Sequence, residues 1–126
     1  MSRPRVLIVD DNPDNLEYAA QVLEDVYRVE VATSGTAGLA EAGKCPPELI
    51  LLDISLPRRD GWAILRELRR DPVLRDVPVV ACTANLLAAE AATERPSSRF
   101  DAYLFKPYRP RELRSLVAAF VGPGEP

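Results

Sequence analysis

The sequence alternates between short apolar runs and longer segments in which apolar residues recur every three or four positions. The apolar runs cover residues 5–9, 28–32, 48–53, 77–82 and 101–105. Such runs, rich in Val, Ile and Leu, are typical of strands that are buried on both faces of a sheet. The segments that follow them have the periodicity of amphipathic helices, so we predict five strands alternating with five helices.

Strand–helix alternation with short connections predicts an α/β fold whose parallel sheet is covered by helices on both sides. Asn12 and Pro13 suit the first turn of a helix that begins directly after the first strand. A closed barrel of such units takes about 250 residues, so an open, doubly wound sheet is the better fit. We therefore predict a single domain over residues 1–126, with residues 122–126 as a frayed tail.

Composition narrows the class of protein without identifying it. The chain has 126 residues, 47% of them hydrophobic, and a net charge of −3 with no basic stripe along any predicted helix. Direct nucleic-acid binding is not expected, because it requires clustered Lys and Arg. No apolar run reaches the roughly 20 residues that span a bilayer, and the first residues lack a signal-peptide pattern. We therefore expect a soluble, cytoplasmic protein without membrane contact.

The chain contains no histidine, and its two cysteines, Cys45 and Cys82, have no second thiol nearby in the sequence. Nucleophiles activated by histidine are thereby excluded, as is zinc held by histidine. We interpret Cys45 as a loop residue and Cys82 as a small core residue. The chemistry available to the chain is that of carboxylates, hydroxyls and amines, with or without a hard metal ion.

Polar residues whose side chains can take part in a reaction lie where the predicted strands end. Asp10 and Asp11 follow the first strand, Asp53 ends the third, Thr83 follows the fourth and Lys106 follows the fifth. In a parallel sheet all carboxyl ends point to the same edge, where ligands bind at the crevice between strands. We therefore predict that these residues converge on one small site.

Three ionised carboxylates at close range repel one another. Such a cluster either raises the pKa of one of its carboxyl groups or binds a compensating cation. An all-oxygen site of this kind suits magnesium, and Lys106 adds a second positive charge. A site with a metal and an ammonium is built to accept a dianionic group, which is the demand of phosphoryl transfer. A carboxylate is a competent phosphoryl acceptor.

Four segments together resemble the receiver domains of two-component response regulators, including single-domain chemotaxis regulators. The segments are residues 6–12, residues 52–57 together with 60–61, residues 83–85 and residues 103–107. The resemblance covers about residues 4 to 121. It implies a flavodoxin-like sheet with strand order 2-1-3-4-5 and five helices.

The resemblance also implies roles for the acids. Asp53 would be the phosphoacceptor. Asp11 would coordinate Mg²⁺ directly, and Asp10 would act on the ion mainly through water. The backbone carbonyl of Ser55 would complete the protein's metal ligands.

The resemblance implies further roles in the conformational change that phosphorylation would cause. Thr83 would hydrogen-bond one phosphoryl oxygen and Lys106 would pair with another. Tyr103 occupies the position of the family's rotameric aromatic residue and would swing inward as Thr83 moves. Pro107 resembles the family residue whose preceding peptide bond is cis.

These roles imply a signalling switch and not an enzyme that acts on metabolites. A histidine kinase or a histidine phosphotransfer protein would supply the phosphoryl group, the acyl phosphate would hydrolyse by autophosphatase activity, and a downstream protein would read the active conformation. One alternative is a receiver-like binding module that is not phosphorylated; another is a phosphohydrolase with an aspartyl-phosphate intermediate. The chain would be either a stand-alone regulator or the receiver of a longer regulator or hybrid kinase.

Two residues depart from the family pattern. Arg99 stands where a glycine is usual, and Pro96 interrupts the end of the fourth predicted helix. Both belong to the face through which relatives pass on the signal. We expect these two departures to leave phosphorylation intact. The sequence does not determine the partner or the conformation that carries the output signal.

Overall fold

The computed structural model describes residues 3–54, 61–84 and 100–125. Its strands are β1 Arg5–Val9, β2 Arg28–Ala32, β3 Leu49–Asp53, β4 Val79–Thr83 and β5 Ala102–Phe105. Its helices are α1 Pro13–Leu23, α2 Gly35–Lys44, α3 Gly61–Arg70 and α4 Pro110–Val121. The fourth of the five predicted helices, expected at residues 85–94, lies outside the described residues. Within the described ranges, no helix has the length and apolar character that a membrane crossing needs.

All five strands run parallel in one sheet, in the order β2-β1-β3-β4-β5. The predicted open, doubly wound sheet is confirmed, together with the strand order that the resemblance implied. Every residue of β3 and β4 is buried, which explains why these strands are apolar up to their last residues, Asp53 and Thr83, and do not alternate. β4 begins at Val79, later than predicted, because Val77 still belongs to the preceding turn and donates its N–H to Leu74 O at 3.0 Å.

The two faces of the sheet carry separate hydrophobic cores. Leu7 and Val9 of β1 belong to the cluster formed with α2 and α3, whereas Val6 and Ile8 belong to the cluster formed with α1 and α4. Burying each such side chain contributes about 1.5–3 kcal/mol to stability. The central strands are therefore held from both sides, and their carboxyl ends form a rigid base for the residues that follow them.

α1 begins close to the end of β1 because Asn12 caps it. The Asn12 Oδ1 atom accepts the N–H of Asp14 at 2.9 Å and of Asn15 at 3.4 Å. This confirms the predicted helix start, and a cap of this kind is worth about 1 kcal/mol. Since the cap fixes where the helix starts, Asp10 and Asp11 are held in a very short connection between strand and helix.

The residues after α4 contact the turn between α1 and β2, so the predicted frayed tail is wrong up to residue 125. The Tyr27 hydroxyl donates to Gly122 O at 2.6 Å, and the Glu125 N–H donates to Val26 O at 2.9 Å. Gly124 has a φ of 76°, and a Cβ there would lie 2.6 Å from Val26 O. Glycine is therefore required for the tail to reach this turn.

Candidate functional site

The carboxyl ends of the strands bring together the acids that were predicted to converge. Asp10 follows β1, Asp53 is the last residue of β3, and Asp11 begins the connection to α1. One carboxylate oxygen from each of the three lies within 4.8 Å of the other two. Asp10 and Asp53 are only 5% and 6% exposed, whereas Asp11 faces solvent. The cluster therefore has a buried base and an open rim.

Lys106 follows β5 and reaches into this cluster. Its Nζ donates to Asp10 Oδ2 at 2.6 Å and to Asp53 Oδ2 at 3.5 Å. Its backbone N–H donates to Thr83 O at 2.9 Å, which ties the lysine to the end of β4. Burial by itself would lower the pKa of Lys106, but the hydrogen bond to Asp10 and the charges of Asp53 and Asp10 outweigh it and raise the pKa. The ammonium is therefore charged at neutral pH.

The Asp10 carboxylate is held by three donors. Oδ1 accepts the N–H of Asn12 at 2.9 Å, and Oδ2 accepts both Lys106 Nζ and, at 3.4 Å, the side-chain amide of Asn15. Asn15 is not among the site residues predicted from the sequence. Its position in the first turn of α1, five residues after the acid, is the signal that could have pointed to it.

The acid cluster fits a hard divalent cation. Three carboxylates and one ammonium leave a formal charge of −2, from −3 and +1, in a largely buried site. Oxygen donors of this kind are the ligands that Mg²⁺ prefers. The fourth predicted metal ligand, the backbone carbonyl of Ser55, lies outside the described residues.

Thr83 is the last residue of β4 and is completely buried. Cys82, one residue earlier, pairs in register with Asp53 of β3. Thr83 therefore lies one position beyond the level of Asp53, toward the edge of the sheet where the acids meet. Burial raises the pKa of the Cys82 thiol to about 12, so this cysteine is a protonated core residue, as predicted.

Tyr103 is half-buried in β5 and packs against the core cluster on the α3 side. Its ring lies 6.0 Å from that of Phe100, which in turn lies 6.1 Å from that of Trp62. Phe105, two residues further along the strand, is 48% exposed. The aromatic row links the predicted switch residue to the first turn of α3.

The remaining sequence predictions for this region concern Pro107, Pro96 and Arg99. The peptide bond between Lys106 and Pro107 is cis. Pro96 and Arg99, which depart from the family pattern, lie outside the described residues. Both cysteines are free thiols, Cys45 exposed and Cys82 buried.

Comparison with known proteins identifies the family. Residues 6–118 match the response regulator receiver domain. The DNA-binding dual master transcriptional regulator RpaA of Synechocystis is 37% identical over 119 residues, which are 94% of this chain and 49% of RpaA. The chain spans about a quarter or less of several other curated relatives.

Two solved structures agree with the fold. Chemotaxis response regulator CheY4 of Vibrio cholerae matches with a TM-score of 0.86 and 25% identity, covering 94% of this chain and 99% of that one. The receiver domain of sensor histidine kinase PA1611 of Pseudomonas aeruginosa matches with a TM-score of 0.83 and 30% identity, covering 96% and 98% of the two chains. The latter structure has a magnesium ion coordinated in its active-site cleft.

Receiver domains accept phosphoryl groups from histidine kinases, bind Mg²⁺ in their active sites and are generally switches and not classical enzymes. The family match spans most of this chain, and the sheet order and the acid cluster agree with it. The chain therefore belongs to the response regulator receiver domain family and is a signalling switch of the two-component type.

Proposed function

We propose that Asp53 is the residue that accepts the phosphoryl group. The observation that carries this proposal is the position of the Lys106 ammonium, 3.5 Å from Asp53 Oδ2 and 2.6 Å from Asp10 Oδ2, beside three clustered acids. A buried carboxylate that is flanked by a cation and a metal-type acid cluster is suited to attack a phosphorus atom. Asp10 and Asp11 belong to the metal side of this arrangement.

We propose that Asp10, Asp11 and Asp53 hold Mg²⁺, with Asp10 acting mainly through water and the backbone carbonyl of Ser55 as a further ligand. The formal charge of −2 on the cluster supports this assignment, because a divalent cation neutralises it. The ion, when bound, supplies charge neutralisation for the oxygens of the transferring group.

The chain's own residues would receive the transferred group. A carboxylate oxygen of Asp53 forms the new bond to phosphorus, and the donor keeps the electron pair of the bond that breaks. Lys106 then pairs with one phosphoryl oxygen and the Thr83 hydroxyl donates to another. The move of Thr83 would open space for Tyr103 to turn inward, and the downstream partner would bind this active conformation.

The donor in this proposal is a phosphohistidine of a histidine kinase or a histidine phosphotransfer protein. The chain itself has no histidine that could serve. Attack of water on the acyl phosphate would return the domain to its resting state, so its only turnover would be autophosphatase activity. We also propose that the receiver domain is cytoplasmic and comprises residues 1–126, with its core at about residues 4–121.

The test is labelling by a small acyl phosphate, followed by intact-mass spectrometry. Asp53→Asn should abolish Mg²⁺-dependent labelling. Asp25→Asn is the matched control, because Asp25 is an exposed acid paired with Arg114 and lies outside the cluster; this variant should label like the parent. Labelling retained in Asp53→Asn would refute the assignment.

A further inference from the structure

Phe100 occupies the centre of the aromatic row on the α3 side of the sheet. Its ring centroid lies 6.1 Å from that of Trp62 and 6.0 Å from that of Tyr103, and both pairs meet edge to face at 68°. Phe100 and Trp62 are 6% and 7% exposed, whereas Tyr103 is half-buried. The core encloses the first two rings, and the Tyr103 ring is the one of the three that can turn.

The chain directly after Phe100 is fixed at the start of β5. The Asp101 N–H donates to Val79 O at 2.9 Å, and Asp101 Oδ2 accepts the Val79 N–H and the Arg69 guanidinium, both at 2.8 Å. These bonds join Asp101 to β4 and to the end of α3. The Phe100 ring therefore has little freedom to follow a turn of the Tyr103 ring.

Trp62, the other neighbour of Phe100, is fixed as well. It lies in the first turn of α3 directly after Gly61, whose N–H donates to Ile54 O at 3.4 Å. A Cβ at Gly61 would lie 2.7 Å from the Cα of Ile54, so the start of α3 packs closely against the residue after Asp53. Phe100 is thus held between a fixed ring and a ring that can turn.

We propose that Phe100 is a positioning residue for Tyr103, whose half-buried position its ring stabilises against the inward turn. The inference rests on the proposed function, in which Tyr103 turns inward after phosphorylation of Asp53. Tyr103 makes its edge-to-face contact with Phe100 in the half-buried position, and the turn breaks this contact. A contact that exists in one of two states shifts their equilibrium toward that state. One aromatic pair changes an equilibrium constant about two- to tenfold.

The two ends of the row therefore act on Tyr103 in opposite directions. A phosphoryl group on Asp53 favours the inward turn, and the Phe100 ring opposes it. Because the two effects are linked, a change that weakens the Phe100 contact strengthens the binding of a phosphoryl mimic at Asp53 by up to the same factor. Phe100 accordingly lowers the fraction of the protein that is active before phosphorylation.

Phe100→Leu tests the proposal, because leucine keeps an apolar side chain and removes the ring. Protein with isotopically labelled tyrosine is followed by NMR, with and without beryllium trifluoride, which forms a phosphoryl mimic on a carboxylate when Mg²⁺ is present. Without the mimic, the Tyr103 signal of the variant should lie closer to its position in the mimic-loaded parent, as for an about fivefold larger inward population. The apparent Kd for beryllium trifluoride should fall by up to the same factor.

Phe120→Leu is the matched control. Phe120 belongs to the core cluster on the opposite face of the sheet, so the same substitution there should change neither the Tyr103 signal nor the affinity. Trp62→Leu removes the fixed neighbour of Phe100 and should act in the same direction as Phe100→Leu. The double variant should exceed the larger single effect by less than about twofold, because both changes act through one contact.

The outcomes separate the inference from the proposed function. A Tyr103 signal that Phe100→Leu leaves unchanged, or that Phe120→Leu moves equally, overturns the proposal, because the Phe100 ring then has no specific effect on Tyr103. The proposed function is tested in the parent protein and in Asp53→Asn. A Tyr103 signal that the mimic does not move in the parent, or mimic binding that survives in Asp53→Asn, removes the function and the inference with it.

A measurement on the parent protein covers the case in which a variant does not fold. Nuclear Overhauser effects between the Phe100 and Tyr103 rings should be present in the free protein and should weaken when Mg²⁺ and beryllium trifluoride are added. Those between Phe100 and Trp62 should persist in both states. Phe100–Tyr103 effects that are absent from the free protein, or that the mimic leaves unchanged, overturn the proposal without any variant.

Discussion

Lys106 bonds Asp10 more closely than it bonds Asp53. Its ammonium lies 2.6 Å from Asp10 Oδ2 and 3.5 Å from Asp53 Oδ2. The lysine therefore occupies an oxygen of an acid that we assign to the metal side of the site. A Mg²⁺ ion held by the acid cluster would therefore compete with Lys106 for the negative charge of Asp10.

Replacing Lys106 with Met is expected to tighten Mg²⁺ binding about tenfold, although it should impair phosphorylation. The change removes a positive charge that lies in contact with the acids, and such a contact is worth a few kcal/mol at most in a partly buried site. Isothermal titration calorimetry of parent and variant at neutral pH measures the affinity directly.

The other lysine of the chain provides the control. Lys44 is exposed at the end of α2 and pairs with Glu41 at 3.5 Å, so Lys44→Met removes the same charge far from the acid cluster. It should leave the Mg²⁺ affinity unchanged. Weaker Mg²⁺ binding by Lys106→Met would contradict the competition and show that the lysine supports the metal ligands.

The convergence of Asp10, Asp53 and Lys106 could be predicted because it follows from topology alone. Each residue ends or follows a continuously apolar run, and parallel strands present all their carboxyl ends at one edge. No side-chain geometry has to be known for that inference. The same reasoning gives the approximate position of Thr83.

The finer features depend on packing that a linear pattern does not contain. The ring pair Tyr18–Tyr108 arises where α1 meets a connection that is 90 residues away in the chain. The unequal distances from Lys106 to its two acids depend on contacts that are 96 and 53 residues apart. Likewise, nothing in the spacing of Tyr27 indicates that its hydroxyl binds the tail at Gly122. Long-range polar contacts of this kind can be identified only in the folded structure.

Gly61→Ala is expected to destabilise the fold by about 1–3 kcal/mol and to slow labelling of Asp53. A Cβ at position 61 would lie 2.7 Å from the backbone Cα of Ile54, the residue after Asp53, so α3 or the end of β3 would have to move. Chemical denaturation and the labelling rate measure the two effects. Gly43→Ala is the control: that position in α2 has open space around it, and alanine there should stabilise the helix by up to about 1 kcal/mol. Equal stability of the two variants would contradict the steric argument.

Tyr27→Phe is expected to lower the free energy of unfolding by about 1 kcal/mol at pH 7, because the buried hydroxyl loses its bond to Gly122 O. Burial, with a smaller contribution from Asp25 against an opposing one from Arg114, raises the pKa of Tyr27 above its usual 10.0. A raised pKa contributes stability that is complete below the unfolded value and is lost as the pH rises through the folded value. The parent should therefore lose stability above pH 10 more steeply than the variant.

Urea unfolding at pH 7 and at several alkaline pH values tests this dependence. Tyr18→Phe is the comparison, because its exposed hydroxyl makes a longer bond of 3.2 Å and its loss should cost less than about 0.5 kcal/mol. An identical alkaline slope for the parent and Tyr27→Phe would show that this phenol does not contribute to the pH dependence.

Arg69 joins the end of α3 to the start of the neighbouring strands, at the end of the sheet opposite to the acid cluster. Its guanidinium donates to Arg75 O at 3.0 Å, to Val77 O at 2.8 Å and to Asp101 Oδ2 at 2.8 Å. Hydrogen bonds from a charged donor contribute about 1.5–3 kcal/mol, but this side chain is partly exposed, so solvent screens part of that contribution.

Arg69→Met is therefore expected to lower the free energy of unfolding by about 2 kcal/mol. The control variant Arg70→Met changes the exposed neighbouring residue and should lower it by less than about 0.5 kcal/mol. Urea denaturation measures both, and the Mg²⁺ affinity of Arg69→Met should equal that of the parent, since the contacts it loses lie away from the acids. A change in metal affinity, or equal stability of the two arginine variants, would contradict this assignment of Arg69 as a purely structural link.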